Sequence, residues 1–172
     1  RRTKRKGLPM TKKITRRTFV KGAAAGAAAS GIWPAPLLAR GAAAAKVRLG
    51  FIGVGNRGDQ LLDAFLKQPD AEVVAICDVY RPYMEAAARK AGGSPALISD
   101  HKAVLDRKDV DAVVIATPDH WHAIQPIDAC SAGKDIYIEK PLSLTVWEGR
   151  KMVEAVRKAN RGAQVGIQRR SS

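Results

Sequence analysis

The sequence predicts an α/β fold with a doubly wound parallel sheet that begins after residue 45. Short apolar runs typical of strands alternate with helical segments through residues 46–172, and the connections between them are short. The first apolar run leads into a glycine-rich turn, and the second ends in Asp78. Because right-handed crossovers place helices on both faces of a parallel sheet, this alternation predicts one sheet covered on both sides.

The first half of this body begins with a nearly continuous apolar strand at Val47–Val54, as expected for a doubly covered sheet. A helix is predicted at Arg57–Gln68, whose apolar residues share one side. The second strand is predicted at Ala71–Asp78, and an Ala-rich helix at Pro82–Ala91 ends at a Gly-Gly pair. Asp100 is expected to cap a short helix that runs to Leu105.

The second half continues the alternation. The apolar run Asp111–Ala116 predicts a third strand, and the helix predicted at Ile124–Ala132 stops at a glycine. Asp135–Glu139 is predicted as a fourth strand, followed by a longer helix at Thr145–Asn160. A fifth strand is predicted at Ala163–Ile167.

The segment Gly53-Val54-Gly55-Asn56-Arg57-Gly58 indicates a dinucleotide site because it lies between a predicted strand and a predicted helix. Gly53 permits a tight turn, Gly55 lets backbone amides approach a pyrophosphate, and Gly58 lets the helix pack closely on the sheet. Asp78, twenty residues after Gly58, can accept hydrogen bonds from a ribose 2′-OH. The alternative is a glycine-rich turn followed by an unrelated aspartate. The context makes this a predicted Rossmann domain.

The positive charge is concentrated at the N-terminus. The whole chain has a formal net charge of +14, and residues 1–45 contribute eleven Lys or Arg and no acid, which leaves +3 for residues 46–172. The predicted folded body therefore lacks the basic surface that nucleic-acid binding needs, and we expect no nucleic-acid partner.

The segment Thr15-Arg16-Arg17-Thr18-Phe19-Val20-Lys21 resembles a twin-arginine export signal. The eighteen uncharged residues that follow, 22–39, are mostly Ala and Gly and contain two prolines, so we expect a cleavable signal and not a stable membrane anchor, the alternative. Residues 1–45 are therefore predicted to be this leader, helical or disordered, with cleavage near Ala44 or Ala45. The twin-arginine translocase is the predicted partner, and the periplasm or another extracytoplasmic space the predicted location.

The cysteines and histidines do not predict a metal site. Cys77 and Cys130 lie far apart in predicted strand and helix, and the spacing of the three histidines suits no metal set. Both cysteines are most simply small core residues, although a disulfide between them stays open.

Three further motifs narrow the prediction: Thr117-Pro118-Asp119-His120-Trp121-His122, Glu139-Lys140-Pro141, and Gly166-Ile167-Gln168-Arg169-Arg170. Together with the glycine segment and Asp78, they resemble the glucose–fructose oxidoreductase/inositol dehydrogenase (Gfo/Idh/MocA) family. The resemblance runs from about residue 46 to 170.

The resemblance implies a nicotinamide dinucleotide, and Asp78 favours NAD over NADP because it would accept from a free 2′-OH and repel a 2′-phosphate. The resemblance places Glu139, Lys140 and Pro141 beside the nicotinamide, with Lys140 as the catalytic residue and a Lys-Pro bond that is commonly cis. It places the Thr117–His122 segment beside the adenosine ribose and the nicotinamide. Four residues of that segment match the family pattern: Thr117, Pro118, Asp119 and His122. For His122 a structural or cofactor-contacting role is favoured over that of a general base.

The resemblance also implies a C-terminal domain that supplies the sugar pocket, the acid/base residues and often the oligomer interface. Residues 46–172 are therefore expected to be a dinucleotide-binding domain truncated before that domain, able to bind NAD but inactive alone. The predicted function is an exported oxidoreductase acting on a sugar, polyol or related polyhydroxylated substrate. The alternatives are an NAD-dependent glycoside hydrolase of the same fold and a non-catalytic dinucleotide-binding module. The intact Glu-Lys-Pro motif favours the oxidoreductase.

Overall fold

The computed structural model of the chain describes residues 46–167. The predicted leader at residues 1–45, with its twin-arginine motif and cleavage position, lies outside the described residues, as do residues 168–172.

One six-stranded parallel sheet forms the centre of the described part, in the order β3-β2-β1-β4-β5-β6. The strands are β1 (Val47–Ile52), β2 (Ala71–Cys77), β3 (Ala96–Ile98), β4 (Ala112–Ile115), β5 (Asp135–Glu139) and β6 (Ala163–Gly166). The order reverses at β1, which pairs with both β2 and β4. The predicted doubly wound α/β fold is confirmed.

Helices connect the strands. They are α1 (Asn56–Phe65), α2 (Arg81–Ala91), α3 (His101–Leu105), α4 (Ile124–Ser131) and α5 (Val146–Ala159), with a short 3₁₀ turn at Asp119–Trp121. The predicted cap of α3 is present, since the Asp100 carboxylate accepts a hydrogen bond from the Lys102 N–H at 2.9 Å. At α5 the Thr145 hydroxyl and the Glu148 carboxylate each accept from the other's backbone N–H, which fixes where that helix begins.

Two apolar clusters cover the two faces of the sheet. Alternation along β1 sends Phe51 to one cluster and Ile52 to the other. The Phe51 cluster includes apolar side chains from α1 and α2, and the Ile52 cluster includes side chains from α3, α4 and α5. This two-sided burial is why the strand segments are continuously apolar.

The sequence prediction of five strands was wrong by one. β3 has three residues, pairs with β2 alone and follows the Gly-Gly-Ser-Pro segment after α2, where no strand was predicted. Its apolar run is too short for periodicity to identify, and pairing along the edge of β2 defines it. Within residues 46–167, no helix combines the length and apolar character needed to cross a membrane.

Candidate functional site

A cleft of about 650 Å³ opens at the carboxyl edge of the sheet, where the strand order reverses. In open parallel sheets this is the position where ligands bind. Seven of the predicted cofactor residues line it: Gly53, Gly55, Asn56, Arg57, Asp78, Thr117 and Pro118. The cleft lining does not include Gly58, Asp119, His122, Glu139, Lys140 or Pro141.

The glycine loop between β1 and α1 has no room for side chains at two of its glycines. Gly53 has a φ of 84°, and a Cβ there would lie 2.9 Å from the Ala116 carbonyl. A Cβ on Gly58 would lie 2.0 Å from the Gly53 carbonyl oxygen, so the start of α1 packs directly on the loop. Gly55 is less restricted, because a Cβ there would meet only the Tyr83 ring, at 3.3 Å. Close backbone packing therefore restricts Gly53 and Gly58, whereas it restricts Gly55 much less.

The N-terminus of α1 faces this loop, and no side chain caps it. Backbone N–H groups in the first turn of a helix have no partner within the helix, and the helix dipole adds partial positive charge there. This arrangement suits an anion such as a pyrophosphate.

Asp78 follows β2 and fixes the glycine loop from the other side of the cleft. Its Oδ2 accepts a hydrogen bond from the Val54 N–H at 2.9 Å, and its Oδ1 accepts from the Tyr80 N–H at 2.9 Å. A carboxylate oxygen can accept more than one hydrogen bond, so both oxygens remain able to accept from ribose hydroxyls. The residues around the cleft thus fit a dinucleotide at both its pyrophosphate and its ribose.

The loop after β4 is stabilised from within. The Thr117 hydroxyl donates to the Gln125 side-chain oxygen at 2.7 Å. His122 is 1% exposed, and its ring nitrogens contact two backbone carbonyl oxygens, those of Thr117 at 2.8 Å and Pro141 at 2.5 Å. Asp119 begins the exposed 3₁₀ turn that lies between Thr117 and His122 in the chain. His122 therefore connects this loop to the loop after β5.

The Glu-Lys-Pro loop after β5 has a buried and an exposed part. Glu139 is 3% exposed and forms an ion pair with Arg57 at 2.7 Å. Lys140 is exposed, and its ammonium group makes no ion pair or side-chain hydrogen bond to any described residue. The Lys140-Pro141 peptide bond is cis, as the resemblance implies.

Sequence reasoning gave no cofactor role to several residues that line the cleft, among them Tyr83, His101, Trp121 and Gln125. His101 contacts the Asp128 carboxylate at 3.1 Å and the edge of the Trp121 ring. Tyr83 lies over Gly55, in the first turn of α2. Tyr83 lies five residues after Asp78, in the helix that follows β2, and no local sequence pattern marks it as a cleft residue.

Burial disfavours the thiolate form of both cysteines. Burial raises the pKa of Cys77 to about 12, with the neighbouring Asp78 carboxylate adding to the shift, and burial also raises the pKa of Cys130. Both are free, buried thiols, so the open disulfide alternative does not form. The described residues contain no group of three His, Cys, Asp or Glu side chains arranged to hold a metal ion.

Comparisons with known proteins agree with this geometry. Residues 47–167 match the model of the GFO_IDH_MocA family, described as an oxidoreductase family with an NAD-binding Rossmann fold. A glycosyl hydrolase family 109 protein from Shewanella sp. (strain ANA-3) is 33% identical over 127 residues, which cover 69% of this chain and 28% of that protein. The chain thus spans less than a third of that relative's length.

Two solved structures share the fold. The myo-inositol 2-dehydrogenase of Lactobacillus plantarum is 26% identical, with a TM-score of 0.69 over 74% of this chain and 38% of its own. The WlbA dehydrogenase of Bordetella pertussis, solved with NADH and UDP-GlcNAcA, is 31% identical, with a TM-score of 0.68. The match covers 73% of this chain and 39% of the dehydrogenase. By its family match and its cleft, the chain belongs to the GFO_IDH_MocA oxidoreductase family and has that family's NAD-binding Rossmann fold.

Proposed function

We propose that the chain is the NAD-binding part of an exported oxidoreductase that transfers hydride between the nicotinamide and a sugar, a polyol or a related polyhydroxylated substrate. The observation that carries this proposal is the position of Lys140. The cleft and the Glu-Lys-Pro loop lie at the carboxyl edge of one sheet, and the Lys140 ammonium is exposed there.

A bound nicotinamide would supply the ring that accepts or donates the hydride. The chain's own residues would bind and orient the dinucleotide that carries this ring, through the amides at the start of α1 and through the Asp78 carboxylate. Lys140 would stabilise negative charge that develops on a substrate oxygen, because a fixed ammonium beside a forming alkoxide lowers the transition-state energy.

A second candidate is an NAD-dependent glycoside hydrolase, in which hydride transfer is transient and a glycosidic bond is broken. The observation that favours it is the similarity to glycosyl hydrolase family 109 proteins. The same cleft and the same lysine serve either reaction. Net oxidation of a free sugar or polyol, with the electrons recovered on the bound dinucleotide or on a second substrate, supports the oxidoreductase. Release of an aglycone with no net oxidation of the sugar supports the hydrolase. A full-length protein that binds NAD and does neither would be a non-catalytic module.

Substitution of Lys140 tests the proposal in the full-length protein. We expect Lys140→Ala to lower kcat by about a hundredfold, as the loss of one oxyanion-stabilising group does, while the Kd for NAD changes only a few-fold. Lys67→Ala removes an exposed lysine between α1 and β2, at the edge of the sheet opposite the Glu-Lys-Pro loop, so it is the matched control and should leave kcat unchanged. An unchanged kcat in Lys140→Ala with weakened NAD binding would make Lys140 a cofactor ligand and contradict the proposed chemistry.

The export proposal rests on the twin-arginine motif. Because that pathway carries folded proteins, the cofactor can bind in the cytoplasm before export. We therefore propose that the full-length protein keeps its dinucleotide tightly bound and recycles it within the active site. Denaturing protein purified from the periplasm should release about one dinucleotide per chain. Finding none, together with activity that requires added NAD, would contradict this part of the proposal.

A further inference from the structure

The two carboxylate oxygens of Glu139 have different partners. Oε1 accepts a hydrogen bond from the Arg57 Nε at 2.8 Å and lies 2.7 Å from its Nη2. Oε2 accepts from the backbone N–H of Lys140 at 3.1 Å. Since Glu139 is buried, this carboxylate is isolated from water and depends on these partners for its stabilisation. It connects the Arg57 guanidinium to the backbone of Lys140.

Arg57 belongs to the glycine segment, at the start of α1. It lies in the first turn of α1, next to the residues expected to contact a pyrophosphate, and its Nη1 donates to the Gln60 side-chain oxygen at 2.9 Å. The ion pair therefore joins two loops that are 82 residues apart in the sequence. Both loops belong to the proposed NAD site.

His122 holds the same segment from the other side. One ring nitrogen contacts the Pro141 carbonyl and the other contacts the Thr117 carbonyl. Lys140 is thus fixed through its own N–H, by Glu139, and through the carbonyl of the next residue, by His122. Only its side chain is left exposed. Because its backbone is fixed on both sides, Lys140 has a defined position from which its ammonium can reach a substrate oxygen.

We propose that Arg57 is a positioning residue that acts through Glu139 to hold Lys140 in place, so that the conformation of the glycine loop and the position of the lysine are coupled. This inference rests on the proposed role of Lys140. It assigns to Arg57 a function beyond contact with the cofactor.

The test uses the full-length protein and a double-mutant cycle. Arg57→Gln removes the charge that stabilises Glu139, and we expect it to lower kcat by about ten- to a hundredfold, because small displacements of a catalytic group have effects of this size. In the Lys140→Ala background the same substitution should change kcat by less than about twofold, since there is no lysine left to position. Arg57→Lys, which keeps the charge, should recover part of the loss.

A second readout does not depend on activity. Without cofactor, hydrogen exchange at the Lys140 amide should be about tenfold faster in Arg57→Gln, because its acceptor is no longer held. Arg48→Gln breaks a more exposed Arg–carboxylate ion pair, with Asp111, at the opposite edge of the sheet and is the control that should leave this amide unchanged. If Arg57→Gln does not fold, Glu139→Gln tests the same connection, because its one side-chain oxygen cannot replace both carboxylate oxygens, which accept from Arg57 and from the Lys140 N–H.

The outcomes separate the two proposals. An equal loss of kcat from Arg57→Gln with and without Lys140, or unchanged exchange at the Lys140 amide, would overturn the positioning role. If instead Lys140→Ala alone leaves kcat unchanged, the catalytic role proposed for Lys140 fails, while faster exchange in Arg57→Gln would still support the physical connection from Arg57 to Lys140.

Discussion

Gly58 offers the strictest test of how the glycine loop packs against α1. Gly58→Ala adds a Cβ that would lie 2.0 Å from the Gly53 carbonyl oxygen and 2.8 Å from its carbon. Both atoms belong to the backbone, so no side chain can rotate away, and α1 must move relative to the loop. The same loop supplies the turn at Gly53 and the amide of Val54 that Asp78 accepts from.

The magnitude follows from two opposing effects. Overpacking of a closely packed site costs about 1–3 kcal/mol. Replacing glycine by alanine in a helix returns at most about 1 kcal/mol through propensity. We therefore expect Gly58→Ala to lower the free energy of unfolding by about 1–2 kcal/mol. With an m value of about 1–3 kcal/mol/M, the urea midpoint should fall by roughly 0.3–2 M.

The assay is urea denaturation of the chain, followed by far-ultraviolet circular dichroism, with two control variants. Gly162→Ala has its nearest non-neighbour atom at 3.6 Å and should be as stable as the parent chain or slightly more stable. Gly55→Ala approaches only the Tyr83 ring, at 3.3 Å, and should change stability by less than about 1 kcal/mol. If Gly58→Ala unfolds at the same urea concentration as Gly162→Ala, close packing of α1 on the loop is refuted.

Three other predictions follow from the structure. Asp78→Asn should weaken NAD binding by about tenfold, because a charged acceptor for the ribose is lost. NADP binding should weaken less, because repulsion of its 2′-phosphate is relieved. Titration of both cofactors checks this, and NADP binding as tightly as NAD to the parent chain would contradict it. Hydrogen bonds from Arg48 lower the pKa of Asp111 to about 2, so this pair stabilises the fold above the usual carboxyl pKa near ~3.9 and loses its effect as the pH falls towards 2. Asp111→Asn should therefore lower the urea midpoint slightly at neutral pH but not near pH 2, and an equal effect at both values would contradict the assignment. Replacing Arg16 and Arg17 by Lys in the full-length protein should leave it folded and cofactor-bound in the cytoplasm, as cell fractionation would detect, and continued export would show that these arginines are not the signal.

The sequence was sufficient to predict most of the fold and the outline of the site, because each signal was local. The apolar runs marked five of the six strands, and Asp100 and Thr145 marked the starts of two helices. The glycines and Asp78 could be placed at one edge, because carboxyl ends of parallel strands meet there. β3 was missed because it is defined by pairing with β2 and not by its own three residues.

The contacts that connect loops could not be predicted in the same way. The Arg57–Glu139 ion pair and the His122 contact to Pro141 join residues 82 and 19 positions apart, and their partners depend on which strands are neighbours. The resemblance left His122 as either a structural or a cofactor-contacting residue. Burial and contacts at both ring nitrogens favour the structural role, and only the folded backbone carries that information.

A calorimetric titration of the 172-residue chain with NAD is the most direct test that the glycine loop and Asp78 form a dinucleotide site. We predict saturable binding at one site, unchanged in Gly162→Ala and lost in Gly55→Val, whose side chain would occupy the space where the amides meet the pyrophosphate. A chain that remains folded and binds no NAD, or a folded Gly55→Val that binds NAD as the parent does, would contradict this account of the site.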